Sequence, residues 1–173
     1  MKPIEDRIKK QLDVLFVGFN PSIKSSETGT HFANPTNRFW KILFEAGITP
    51  RKFDTSEDRS LLNLGYGLTN IVPRPTKAAD EITKEEYKLG REQLKEKILT
   101  YKPKIVCFVG KGVYQEYSGK KSLPWGEQEE SVVPGTIDFV APSSSGLVRM
   151  RIGEVIEIYR QLPELVATIK SKA

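Results

Sequence analysis

The sequence predicts a single α/β domain spanning residues 1–173, built on a small, mostly parallel sheet covered by helices on both faces. Three observations carry this reading. Short apolar runs alternate with segments of helical periodicity. The best strands, at 14–19 and 104–110, hold continuous apolar runs, as in strands buried on both faces. The 173 residues suffice for one sizeable core, and no repeat, low-complexity segment or Gly/Ser linker divides them.

The first strand, residues 14–19, stops abruptly at Asn20-Pro21-Ser22. Residues 21–35 are rich in Ser, Thr, Gly and Pro and read as a long loop, a length often associated with function. A helix follows from about Thr36, with Phe39, Trp40, Leu43 and Phe44 at helical spacing and Gly47 as its stop. A second helix is expected over 56–64. Residues 66–73 read as a strand, and 74–80 as a polar loop. Thr83-Lys84-Glu85-Glu86 fits a capping box opening a helix to about Tyr101, with Tyr87, Leu94 and Ile98 on one face. The strand at 104–110 leads into a short helix from Lys111 to about Tyr117. Loops are expected over 118–135, a fourth strand over 136–141, and a last amphipathic helix over 152–169 with the stripe Val155, Ile158, Leu162 and Val166.

Composition narrows the function classes. Lys and Arg number 27 against 22 Asp and Glu, a net charge of +5 that suits a polyanionic partner such as nucleic acid. With one cysteine, Cys107, and one histidine, His31, an internal disulfide and a multi-histidine metal site are excluded. No apolar run approaches the length of a membrane span. The first residues lack the apolar core of a signal peptide, so a cytoplasmic setting is expected.

In a parallel sheet the functional loops leave the carboxyl ends of the strands. Three ends carry unusual polar sequence: Asn20-Pro21, Thr69-Asn70 and Pro142-Ser143-Ser144-Ser145. They are expected to share one edge and converge on one crevice. Asn20 in Gly18-Phe19-Asn20-Pro21-Ser22 either caps its own turn or orients a water; an amide is too weak a base to do more. Phe32, in a mobile polar loop, either anchors that loop or stacks on a planar base. His31 reads as a hydrogen-bonding loop residue, and Phe39 and Trp40 as core. Residues 142–149 are either a Ser-rich turn with Leu147 and Val148 packed inward, or a phosphate grip followed by an exposed wedge and a cation. Lys111 contacts phosphate or is solvated.

Taken together, in this order, these residues resemble the mismatch-specific uracil/thymine DNA glycosylase family of the uracil-DNA glycosylase superfamily. The resemblance runs from about Val14 to Leu162. It rests on Gly-Phe-Asn-Pro-Ser at 18–22, Thr28-Gly29, His31-Phe32-Ala33-Asn34-Pro35, Asn37-Arg38-Phe39-Trp40, Gly67-Leu68-Thr69-Asn70, Arg74-Pro75-Thr76, Gly110-Lys111, Trp125-Gly126 and the segment 142–149. It implies a three-layer α/β/α sandwich and hydrolysis of the N-glycosidic bond of a mispaired or damaged base in double-stranded DNA, with no metal or cofactor. A monomer is expected.

Carried over residue by residue, the resemblance makes Asn20 the residue that positions the attacking water and Phe32 the aromatic against the flipped base. Backbone groups around Phe19, Ser22 and Ile23 line the base pocket. Ser25 lies near the pyrimidine C5. Ser143, Ser144 and Ser145 grip flanking phosphates. Gly146, Leu147, Val148 and Arg149 fill the vacated stack, with Leu147 as wedge. Two positions depart from the usual bacterial pattern: Ser22 stands where Gly is common, adding a hydroxyl or narrowing the pocket, and Asn70 where some members have Lys. These departures leave deaminated purines and etheno adducts open as substrates, beside the bland reading of a non-cleaving lesion binder.

Overall fold

The computed structural model describes residues 2–173. Its centre is a five-stranded sheet of order β2-β1-β3-β5-β4, comprising β1 (Val14–Gly18), β2 (Tyr66–Asn70), β3 (Ile105–Val109), β4 (Gly126–Glu127) and β5 (Ile137–Ala141). The first three pairings are parallel; only β4 runs antiparallel, on β5. Because side chains alternate across a strand, Val14 and Phe16 enter one core, with α2 (Phe39–Glu45), α5 (Ile152–Ser171) and a 3-10 helix, Thr55–Leu64. Leu15 and Val17 enter the other, with α3 (Lys84–Tyr101) and α4 (Lys111–Ser118). This is the three-layer sandwich, and it explains why the central strands are apolar without alternation. Among the described residues no helix is long and apolar enough to cross a membrane.

Five expectations need correction. The loop at 21–35 contains a short helix, α1 (Ile23–Thr28), started by the Ser22 hydroxyl accepting from the Ser25 amide and ended by Gly29 at φ 73°. Its hydroxyl-rich residues carry no apolar period. The helix at 56–64 is 3-10, capped by Asp54. The second strand ends at Asn70; Ile71 and Val72 still donate to the carbonyls of Gly18 and Phe19, and Pro73, which has no N–H, ends the pairing. The loops at 118–135 contain β4, whose two residues are too few to show a period. In addition α2 begins at Phe39, not Thr36, because the Asn34 and Asn37 side chains take the amides of Thr36 and Phe39.

The segment before β1 was silent in sequence, yet it closes one side of the molecule. Arg7 exchanges both backbone hydrogen bonds with Leu68 on the outer edge of β2, at 2.9 and 2.8 Å. Its guanidinium is buried beside Asp58 at 3.3 Å and donates to the carbonyls of Glu5 and Gly29. Asp58 also accepts from the His31 amide at 2.9 Å. One carboxylate thus ties the amino-terminal segment to the loop carrying Phe32. The His31 ring closes the circle: Nε2 lies 2.9 Å from the Glu5 carbonyl, which can only accept, so Nε2 carries the proton.

Removing Asp58 leaves a buried guanidinium without its counter-charge. Asp58→Ala is expected to lower unfolding free energy by about 3–5 kcal/mol, measured by urea denaturation. Burial holds the His31 imidazole below its ordinary 6.5. The unfolded chain therefore takes up this proton first as pH falls, so stability drops below about pH 6.5. His31→Gln, which keeps a donor for the Glu5 carbonyl but does not titrate, is expected to lose less stability than the native chain between about pH 7.5 and 5.5.

Candidate active site

β1 connects to β2 on one side, and the chain then crosses over to β3 on the other. The carboxyl end of β1 is therefore the topological switch point, where open α/β sheets form their crevice. A pocket of about 230 Å³ lies there, below the usual ~300–1,000 Å³ of sites for drug-sized ligands. The three polar strand ends converge on it as expected: Phe19, Asn20 and Ser22 after β1, Asn70 at the end of β2, and Ser143, Ser144 and Ser145 after β5. Ser25 and Phe32 complete this set. Of the other predicted residues, Ile23, Lys111, Gly146, Leu147, Val148 and Arg149 do not line it.

Asn20 does not cap its own turn. Its Nδ2 donates to the Arg74 carbonyl at 2.7 Å and to the Thr76 hydroxyl at 2.9 Å. The Thr76 hydroxyl passes its own proton to the Ala78 carbonyl at 2.8 Å, so it accepts from Asn20 without competition. Both amide protons are thereby committed, and the Oδ1 acceptor remains for a ligand or water. Among the described residues no aspartate or glutamate lines the pocket.

Phe32 packs against the core. Its ring stacks on Phe39, with centroids 3.9 Å apart and planes 13° from parallel. Its backbone has φ 52°, a left-handed conformation that a bulky residue adopts only when its surroundings impose it. The neighbours impose it: the His31 amide is held by Asp58, and the Ala33 amide donates to the Ser25 hydroxyl at 3.0 Å. Ser25 also accepts from the Ser22 hydroxyl at 3.1 Å, which fixes both side chains. The extra hydroxyl of Ser22 is thus spent inside α1. Asn70 lies against Gly18, where an added Cβ would meet its Oδ1 at 2.8 Å. Only glycine at position 18 leaves room for that amide. The Phe19 ring turns away to pack edge-on against Tyr87.

The serine segment is braced from behind. The Tyr159 hydroxyl donates to the Pro142 carbonyl at 2.6 Å, and the Arg38 amide to the Ser144 carbonyl at 2.8 Å. The hydroxyl oxygens of Ser143 and Ser145 accept the amides of Ser145 and Leu147, which leaves both O–H groups free to donate outward. Ser144 is 1% exposed and offers no surface to a backbone phosphate. Beyond it Leu147 is 93% exposed, so the inward-packed alternative does not hold for this residue. Gly146 abuts the Thr36 carbonyl, 2.8 Å from where a Cβ would lie. The ammonium of Lys111, a half-buried residue, sits 4.2 Å over the Trp125 ring.

Sequence reasoning missed three parts of the site. Ile4 reaches the pocket from the amino-terminal segment. Thr76 and the Arg74 carbonyl hold Asn20. The last two lie in a visible Arg74-Pro75-Thr76 motif, but nothing local joined that motif to Asn20. The Arg74 guanidinium grips Glu86 in a two-pronged ion pair at 2.8 and 2.9 Å and holds that carboxyl down to about 2.

A sequence model described as the uracil DNA glycosylase superfamily matches residues 5–163. A solution NMR structure of a candidate uracil DNA glycosylase from Methanosarcina acetivorans superposes with a TM-score of 0.60 at 22% identity, over 94% of this chain and 98% of that one. That likeness is one of fold. With the family match covering most of the chain, and the strand-end pocket where such a sheet places its site, the protein belongs to the uracil DNA glycosylase superfamily and is a DNA glycosylase.

Proposed function

We propose that the protein is a mismatch-directed glycosylase that removes uracil opposite guanine from duplex DNA, and thymine more slowly, leaving an abasic site. The observation that carries this reading is the tethering of Asn20: with both amide protons committed, its Oδ1 is a fixed acceptor in a pocket without a carboxylate. A water donating to Oδ1 is oriented but hardly activated. Such a site suits a reaction in which the C1′–N1 bond breaks first, negative charge gathers on the departing base, and water then adds to an oxocarbenium-like sugar. The water's oxygen bonds to C1′, and its surplus proton balances the charge of the released base.

The base reaches the pocket by extrusion, which costs a few kcal/mol and less at a mismatch. That difference favours uracil opposite guanine over uracil opposite adenine. Phe32, pinned by Phe39, offers a preset ring face to the base. The Ser25 hydroxyl, held by two donors, stands as a fixed wall against the methyl group of thymine. Leu147, exposed beside the pocket rim, suits the gap left by the extruded nucleotide. The hydroxyls of Ser143 and Ser145 suit the flanking phosphates.

Under single-turnover conditions a duplex with uracil opposite guanine is expected to be cleaved faster than the same duplex with uracil opposite adenine, with abasic sites revealed by alkali. Hypoxanthine and ethenocytosine duplexes run alongside decide the substrate class. If either outruns uracil, the uracil assignment fails. Asn20→Ala is expected to slow cleavage on the order of 100-fold or more, as loss of a well-oriented reactant does, with duplex affinity unchanged; equal loss of both sinks its role. Leu147→Ala is expected to slow cleavage of duplex uracil but not of uracil in single-stranded DNA, where no stack needs filling.

A further inference from the structure

We propose that the ion pair between Arg74 and Glu86 is a positioning clamp for Asn20, anchoring the 73–78 loop to α3 so that its acceptors hold the Asn20 amide in one orientation. The clamp rests on the reading of Asn20 given above, and it is separable from it by experiment.

Both acceptors of the Asn20 amide belong to a segment without helix or strand, and Arg74 supplies one of them with its own carbonyl. The other end of Arg74 is fixed in three places. Nε and Nη2 engage the two carboxylate oxygens of Glu86, and Nη2 also donates to the Glu81 carbonyl at 3.0 Å. Glu86 is itself immobilised, because its carboxylate accepts the Thr83 amide in the capping box of α3. That helix is anchored on the sheet through Leu94 and Ile98. A continuous path therefore runs from a packed helix through Glu86, the Arg74 fork and the Arg74 carbonyl to the Asn20 amide. The loop is also tied to the β1 end by a parallel bridge between Thr76 and Ser22, in which the Thr76 amide donates to the Pro21 carbonyl at 3.3 Å. The side chains of Arg74 and Glu86 are 49% and 25% exposed, so the pair adds little to global stability. Its consequence is local: an arginine fork fixes direction as well as distance, which a point charge does not.

Three variants separate the possibilities. Glu86→Gln keeps the capping box, which accepts Glu or Gln, but loses the charged two-pronged contact. Arg74→Lys keeps the charge and loses the fork. Arg74→Ala loses both. The first readout is the Asn20 side-chain amide in NMR spectra, assigned by its disappearance in Asn20→Ala. The native chain is expected to show two well-separated, slowly exchanging protons. Glu86→Gln and Arg74→Ala should bring them together and speed exchange, while the melting temperature changes little.

The second readout is single-turnover rate against duplex affinity. A rate loss of about tenfold to 100-fold, the scale of a misplaced reacting group, is expected for Arg74→Ala with affinity unchanged. Arg74→Lys should fall between native and Ala. In the Asn20→Ala background Arg74→Ala should cost nothing further, because residues acting through one another are not additive. An unchanged amide signal in Glu86→Gln and Arg74→Ala overturns the clamp, as does a rate loss that adds fully to that of Asn20→Ala. Weakened duplex binding at constant bound rate also overturns it, since Arg74 would then serve as a DNA contact. If the amide responds but the native chain cleaves no duplex, the clamp stands and the glycosylase reading of Asn20 falls.

Discussion

β1 is hydrogen-bonded along both edges and packed on both faces, and every other part of the molecule is placed relative to it. Its parallel partners β2 and β3 bring their carboxyl ends to the edge where β1 releases Asn20. Parallel pairing leaves no alternative. A strand that enters the sheet in the same direction must deliver its following loop to the same side, and three polar loops therefore meet in one pocket. The continuous apolar character of the strand is the cost of that arrangement, since neither face meets water.

The pocket loops are held by one another, as Asn20 is by the 73–78 loop, and also from outside the pocket. The Phe32 loop hangs on the buried Asp58, which it shares with Arg7. The serine segment is braced by Tyr159 and Arg38. The 73–78 loop is braced by Glu86. In each case the bracing group engages backbone atoms or leaves the pocket-facing atoms unspent. Asn20 follows the same logic on a smaller scale: its nitrogen is consumed by structure and its oxygen is not. Among the pocket residues Phe32 carries a left-handed backbone, imposed by hydrogen bonds on both flanking residues. A preset ring and a preset acceptor reduce what must be ordered when a base arrives.

Much of this was legible in the residues. The strands at 14–19 and 104–110 announced themselves by apolarity, the helix at 84–101 by its capping box, and the three polar strand ends by contrast with the runs before them. Their convergence followed from the parallel topology alone. The short helix after Ser22 and the two-residue β4 were not legible, because each is too brief to show a period and is decided by capping and pairing contacts. Ser22 illustrates the limit. Its hydroxyl was visible as a departure from the familiar glycine, but whether it faced the base or its own helix depended on where the Ser25 amide and hydroxyl came to lie.

The sequence by itself determined the class of fold, the edge of the sheet that carries the site, and most of the side chains found there, because burial and turn chemistry are written in local pattern. Tertiary structure decided which atoms of those side chains remain free. The partners of the Asn20 amide lie 54 and 56 residues away, the partner of the Ser145 carbonyl 107 residues away, and the amino-terminal segment joins through distant groups such as Asp58, Leu68 and the Gly29 carbonyl. Hydrogen bonds depend on distances of about 3 Å and on direction, and neither is set until the layers have packed.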